Sequence, residues 1–150
     1  MLPESRLIKS ELTLRELSLP PEVVLTRKAI VRWLALSFGL IHPNESRLLL
    51  LDVFDSALEF HIKNINPTTR DIIAKLEENT KEKQNPKAVY YHLQRLTTQG
   101  ILARKKGRYY IGDGEGKKLN EIFREYYIKK IDRSFENIGN AFEKLQTGQI

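Results

Sequence analysis

Apolar positions recur at helical spacing in the centre of the chain. Between Asn85 and Gly100 they follow steps of three and four residues, which predicts an amphipathic helix with one buried stripe. Asn85 can cap the start of this helix, Pro86 suits its first turn, and Gly100 can end it in a left-handed conformation. The predicted stripe comprises Ala88, Val89, Leu93 and Leu96.

The spacing changes directly after Gly100. Residues 101–105 and 108–112 are rich in residues that favour strands, and Lys106-Gly107 is the expected turn between them. A helix followed at once by a basic hairpin is typical of the recognition helix and wing of a winged helix-turn-helix. We therefore expect a mainly α-helical fold with a small β-hairpin wing.

The N-terminal part of the chain predicts an additional apolar helix. Residues 22–41 carry apolar side chains around most of the helix circumference, which indicates burial on more than one side. Because a small winged-helix core needs less apolar surface, we expect part of this helix, including Trp33, to lie in a dimer interface. Residues 1–21 fit either a flexible tail or an arm that packs on the body or on a second subunit.

Two further helices lead into the predicted DNA-binding unit. Asn44 is the expected cap of a helix over 45–63. Thr68 or Thr69 should cap a helix over 67–78, which would be the first helix of the helix-turn-helix. The helix over 45–63 should bury a stripe that comprises Leu48, Leu51, Phe54, Leu58 and Ile62.

The last predicted helix, residues 115–146, carries a heptad seam that needs a partner helix. Its apolar residues follow steps of three, four, three, four and three. We expect the seam to pair with a second copy in a homodimer, although it could instead fold back onto its own domain. The predicted organisation is an arm (1–21), a DNA-binding domain (22–114) and a dimerisation helix (115–150). The seam comprises Ile128, Ile131, Phe135, Ile138, Phe142 and Leu145.

The formal charge of +6 is concentrated in one segment. Residues 1–66 contain eight basic and eight acidic side chains, and residues 113–150 contain seven of each. Residues 67–112 contain ten basic and four acidic side chains, so this segment alone carries the excess of six. Such a cluster is the electrostatic signature of a phosphate-binding surface, although a basic face without a partner would look the same.

The remaining composition argues against several classes of protein. Without cysteine there is no disulfide, thiol nucleophile or thiolate metal site. The first residues lack a signal-peptide pattern, and no stretch has the roughly 18 uninterrupted apolar residues of a membrane span, so we expect a cytoplasmic protein. Asp52, Asp55 and Glu59 on one helix face favour a solvated acidic surface over acid–base chemistry. With only isolated histidines besides, we expect no enzyme, no metal and no cofactor.

Residues 85–119 resemble the winged-helix transcription regulators of the PadR and ArsR type. The resemblance rests on a small-residue helix start, the run HLQRLTTQGIL, and a basic wing ending in YYIGDGEGKKL; it extends over about residues 45–127. In PadR-like proteins a comparable tyrosine-rich strand leads through a glycine-containing turn into a C-terminal dimerisation helix. This chain departs from the pattern in its apolar helix over 22–41 and in lacking the metal-sensing cysteines of the ArsR type.

The resemblance implies two sets of DNA contacts. Gln94 could read adenine and Arg95 could read guanine in the major groove. Tyr90 and Tyr91 could contact phosphate or thymine methyl groups, although one of them could be half-buried against the wing. The recognition helix would present Lys87, Tyr90, Tyr91, Gln94 and Arg95. The wing would place Arg104, Lys105, Lys106 and Arg108 on phosphate or in the minor groove.

These patterns together predict a sequence-specific regulator of transcription that binds double-stranded DNA as a homodimer. Its site should be a near-palindrome with half-sites about one helical turn apart. The alternatives are a winged-helix adaptor that binds an acidic protein, and an architectural chromatin protein without sequence preference. The operator, the sign of regulation and any small-molecule effector are not encoded in these patterns.

Overall fold

The computed structural model describes residues 2–46 and 48–150 and confirms a mainly helical fold with one small antiparallel sheet. Two short 3-10 helices, Glu4–Leu7 and Pro21–Leu25, precede the longer elements in the chain. These elements are α1 (Arg27–Ser37), α2 (Leu48–Ile62), α3 (Thr69–Thr80), α4 (Pro86–Thr98), β1 (Ala103–Lys105), β2 (Arg108–Tyr110) and α5 (Leu119–Thr147).

The chain divides into two compact units with boundaries that differ from the predicted ones. The larger unit is Thr13–Lys117, and the other combines Met1–Leu12 with Lys118–Ile150. Residues 13–21, expected to be part of an arm, thus belong to the same unit as α1 to α4. Each unit is described by itself below.

Hydrogen bonds hold the start of the larger unit along α1. The guanidinium of Arg15 donates to the carbonyl oxygens of Leu36 (2.8 Å) and Ile41 (2.9 Å). Because the last carbonyls of a helix lack partners within it, the bond to Leu36 supplies a donor to the last turn of α1, and the bond to Ile41 holds the chain beyond that helix. Farther along, the indole N–H of Trp33 donates to the carbonyl of Ser18 at 2.7 Å.

The prediction of one continuous helix over 22–41 was wrong. Thr26 has an extended backbone, and its hydroxyl accepts a hydrogen bond of 3.1 Å from the Ala29 N–H, so it caps a new helix instead of continuing one. The apolar residues before this cap do not share the burial of α1, since 76% of Leu25 is exposed. Trp33 is half-buried.

Helix α2 begins later than predicted, and its buried face includes Phe54 and Leu58 of the predicted stripe but not its end residues. Asn44 does not cap it: its φ of 65° places it in a left-handed turn, and α2 begins at Leu48. Leu48 and Ile62, expected in the buried stripe, are 69% and 65% exposed. The helix contacts α1, α3, α4 and β2, so its covered face is broader than one stripe. Buried residues of α2 are Leu50, Val53, Phe54, Ser56, Ala57, Leu58 and His61.

Side chains near the start of α3 and of α4 cap these two helices. Thr68 and Asp71 form a reciprocal capping box at the start of α3, with hydrogen bonds of 2.9 and 3.1 Å. The side chain of Asn85 accepts a hydrogen bond of 3.0 Å from the Lys87 N–H, as its predicted role as a cap requires. The two helices bury Ile72, Leu76, Val89, Leu93 and Leu96.

The hairpin (residues 103–110) has the predicted turn and slightly shorter strands than expected. Lys106 and Gly107 have φ values of 53° and 78°, the left-handed pair that a tight two-residue hairpin turn requires. Arg104 pairs with Tyr109 across the strands. On its other side, Arg108 forms a β-bridge with Thr68, so the hairpin is also anchored to the segment that enters α3.

In the second unit, α5 begins at Leu119, four residues later than predicted. Residues 112–116, which still belong to the larger unit, turn through glycines with positive φ, and Asp113 accepts a hydrogen bond from the Glu115 N–H (2.9 Å) without capping α5. Tyr127 is the buried residue of α5, and burial raises its pKa to about 12. The predicted seam is 40% to 64% exposed: Ile128, Ile131, Phe135, Ile138, Phe142 and Leu145.

Candidate nucleic-acid interface

One face of α4 is exposed because the opposite face forms part of the core. Val89, Leu93 and Leu96 are fully buried, which turns the intervening positions away from the larger unit's interior. Of the residues predicted to contact DNA from this helix, Arg95 is half-buried. The others are exposed: Lys87, Tyr90, Tyr91 and Gln94.

The hairpin presents four exposed cationic side chains. Three of them, Arg104, Lys105 and Lys106, lie on β1 and the turn, and Arg108 begins β2. Within residues 2–46 and 48–150, none of the four forms an ion pair. The charges of Arg104, Lys105 and Lys106 therefore face the solvent, while Arg108 also interacts electrostatically with Asp71.

Arg108 differs from the other hairpin cations in donating a side-chain hydrogen bond to a backbone carbonyl. Its guanidinium donates a hydrogen bond of 2.9 Å to the carbonyl oxygen of Asn66. Its neighbour Tyr109 donates its backbone N–H to the carbonyl of Pro67 at 2.8 Å. A guanidinium has five N–H donors, so Arg108 can hold Asn66 and still present donors to an anion.

Tyr90 joins the exposed face of α4 to the hairpin. The side-chain amide of Gln94 donates to the Tyr90 hydroxyl oxygen at 2.7 Å, and Nη1 of Arg104 lies 3.4 Å from the same oxygen. The guanidinium carbon of Arg104 is 5.7 Å from the centre of the Tyr90 ring and 5.1 Å from that of Tyr109. These are distances at which a cation is attracted to an aromatic face.

The sequence allowed one of Tyr90 and Tyr91 to be half-buried against the wing, but both are exposed, and Tyr90 is the one that contacts the hairpin. Tyr91 is more exposed (58% against 39%), and its ring makes an edge contact with His92. The contact between Tyr90 and Arg104 had no sequence signal, because the two residues are separated by 14 positions and a change of secondary structure.

Asp55 and Glu59 of α2 form ion pairs, so the expectation of a merely solvated acidic face needs correction. Asp55 binds Arg27 of the α1 helix at 2.6 Å, and Glu59 binds Lys75 of α3 at 3.1 Å. Partial burial raises the pKa of Glu59, but the hydrogen bond and charge of Lys75 outweigh it, so this pKa lies below its usual range. These two carboxylates tie α2 to its neighbouring helices.

At the start of α3, Asp71 is an anion held in place by its capping box. The hydrogen bond from the Thr68 backbone N–H lowers the pKa of Asp71, and the charges of Arg108 and Arg70 act in the same direction. A carboxylate here also interacts favourably with the positive end of the α3 dipole. Asp71 thus stabilises the start of α3, next to the Thr68 bridge that anchors the hairpin.

The described histidines have separate surroundings. A ring nitrogen of His61 lies 2.6 Å from the carbonyl oxygen of Lys117, and one of His42 lies 3.3 Å from the Arg15 guanidinium. In the part of the chain that the structure describes, no group of three or more His, Asp or Glu side chains is placed to hold a metal ion. Among the same residues, no helix is both long and apolar enough to cross a membrane.

Comparisons with protein-family models, with curated proteins and with solved structures found no match to this chain.

Proposed function

We propose that this protein is a sequence-specific DNA-binding regulator of transcription built on a winged helix-turn-helix. The observation that carries the proposal is a single surface made from the exposed face of α4 and four cations of the hairpin without ion pairs among the described residues. Phosphate-binding cations beside polar side chains that can hydrogen-bond base edges are the two components that recognition of duplex DNA requires.

In this proposal α3 and α4 are the helix-turn-helix, with α4 as the recognition helix and the hairpin as the wing. The order α2, α3, α4, hairpin supports it, as does the anchoring of β2 to Thr68 at the entry to α3. The resemblance of residues 85–119 to PadR-like and ArsR-like regulators points to the same assignment. Gln94 would read adenine and Arg95 guanine, each contributing about 1–3 kcal/mol of discrimination.

The seam of α5 supports a homodimer as the active form. Six large apolar side chains at heptad spacing are 40% to 64% exposed. Together they offer on the order of 500 Å² per protomer, so pairing two seams would bury about 1,000 Å², the lower range for a specific interface. A homodimer would place two copies of α4 on a near-palindromic site.

Fluorescence anisotropy of a labelled mixed-sequence duplex at several salt concentrations tests the proposal. The triple variant Arg104→Ala, Lys105→Ala, Lys106→Ala should bind more weakly and lower the slope of log affinity against log salt by about three. A control that removes equal charge from α5, Lys129→Ala, Arg133→Ala, Lys144→Ala, should leave that slope unchanged.

The other functions predicted from the sequence give different results. Absence of wild-type binding at low salt, with the fold verified by circular dichroism, would contradict DNA binding and favour an adaptor that binds an acidic protein. Binding that is equal for all duplexes in a selection from random DNA would favour an architectural protein without sequence preference.

A further inference from the structure

The hydroxyl of Tyr90 accepts from two donors and has its own proton left over. The amide of Gln94 and the guanidinium of Arg104 both approach its oxygen, at 2.7 and 3.4 Å. A tyrosine hydroxyl has two acceptor lone pairs and one O–H donor, so these contacts use its acceptor capacity. Within the described chain no residue accepts the O–H, and Tyr90 is 39% exposed. The proton is therefore available to a molecule outside the chain.

The surroundings of this proton favour an anion with several acceptor oxygens. Arg104 adds a positive charge next to the hydroxyl, and the hydrogen bond to Tyr90 uses one of its five N–H donors. Arg104 forms no ion pair with the described residues, so its charge is not cancelled by a carboxylate. Hydrogen bonds from neutral and cationic donors to a phosphate oxygen are shorter and stronger than those between neutral groups.

We propose that Tyr90 and Arg104 together bind one backbone phosphate of duplex DNA, and that this contact positions Gln94 against its base. The inference rests on the proposed function and adds a specific phosphate site to it. The neutral Tyr90 donates its O–H, and Arg104 supplies the charge. Gln94 keeps one amide N–H and its carbonyl oxygen for the base edge, because the other N–H is held by Tyr90.

The proposed phosphate site predicts that variants of Tyr90 and Arg104 change the salt dependence of DNA binding differently. Tyr90 carries no charge and displaces no counterion, so Tyr90→Phe should weaken binding about tenfold while leaving the salt slope unchanged. Arg104→Ala should weaken binding and also lower the slope by about one. The base pair that Gln94 reads is identified as the position at which Gln94→Ala loses discrimination. Tyr90→Phe should in addition reduce discrimination at that same base pair.

Tyr110→Phe is the matched control, since Tyr110 lies on β2, is half-buried and is not among the residues proposed to contact DNA. We expect its affinity to stay within about twofold of wild type, because a phenol without a phosphate partner contributes little to binding. Thermal unfolding of all variants would show whether a loss of affinity reflects a loss of folded protein.

A second measurement changes the DNA instead of the protein. In the duplex recovered by selection, each phosphate is replaced in turn by a neutral methylphosphonate. At one position this replacement should weaken binding by the wild type but have little further effect on binding by the double variant Tyr90→Phe, Arg104→Ala. If wild type binds but Tyr90→Phe and Tyr110→Phe behave alike, or if no such position exists, the phosphate site is overturned while the proposed function stands. If wild type binds no duplex, both are overturned.

Discussion

The guanidinium of Arg108 donates a hydrogen bond of 2.9 Å to the backbone carbonyl of Asn66. This contact joins the first residue of β2 to the chain just before α3, two elements that would act together in DNA binding. The contact also distinguishes Arg108 from Lys105, its partner across the hairpin. Lys105 is an exposed cation of β1 that has no such contact among the described residues.

We therefore expect Arg108→Ala to affect both stability and DNA binding, and Lys105→Ala to affect DNA binding alone. Loss of a hydrogen bond from a charged but exposed donor should lower the free energy of unfolding by about 1 kcal/mol. Chemical denaturation measures this change, and salt-dependent anisotropy measures the loss of about one unit of slope in each variant. Equal stabilities for the two variants would contradict a structural role for Arg108.

The capping box predicts a pH-dependent contribution of Asp71 to stability. Asp71→Ala should cost about 1 kcal/mol near pH 7, because the carboxylate accepts the hydrogen bond from the Thr68 N–H. The pKa of Asp71 in the folded protein lies below the ordinary value of 3.8. The stabilisation is therefore complete above that ordinary value and is lost as the pH falls through the lower pKa of the folded state.

Denaturation of wild type and Asp71→Ala from pH 7 down to pH 3 measures this dependence. The difference between the two proteins should shrink only at the acidic end of the series. Glu78→Ala, which removes an exposed carboxylate of the same helix, is the control and should change stability little at any pH. A difference that grows on acidification would refute the assignment.

A close contact with Thr13 makes the protein sensitive to replacement of Gly39. Its φ is +71°, and a Cβ at this position would lie 2.5 Å from the Thr13 side chain. Gly107 has a similar φ of +78°, but a Cβ there would meet nothing within 4 Å. Gly107→Ala should thus cost only the conformational strain, about 1–2 kcal/mol.

Gly39→Ala should cost that strain and a further 1–3 kcal/mol of steric overlap, by the usual cost of overpacking. Both glycines belong to the unit Thr13–Lys117, so one thermal unfolding transition reports both changes. If the two variants were equally stable, residues near Thr13 would not pack against Gly39 as described.

The exposed seam of α5 predicts that a charge placed in it prevents dimer formation. Phe135 is 58% exposed in the single chain, and pairing two seams would bury it. Phe135→Asp should shift the mass measured by light scattering from dimer to monomer, because an unpaired carboxylate is costly in an apolar interface. Asn140→Asp adds the same charge on the opposite side of the helix and should stay dimeric. A monomeric mass for the wild type in light scattering would contradict this interface.

The sequence by itself determined the elements whose ends depend on neighbouring residues. The start of α4 follows from Asn85 and Pro86, and the hairpin turn from Lys106 and Gly107, because capping and turn geometry involve atoms only a few positions apart. The outward face of α4 was also predictable, since helical spacing determines which residues lie opposite the buried stripe.

Only the tertiary structure decided features that depend on residues distant in the chain. Periodicity could not show that α2 is covered by several neighbours, so the exposed Leu48 and Ile62 were expected to be buried. Nor could spacing predict that Arg15 holds the end of α1, or that Tyr90 meets Arg104. Such contacts arise when packing brings separate elements together, and a pattern along the chain describes one face of one element at a time.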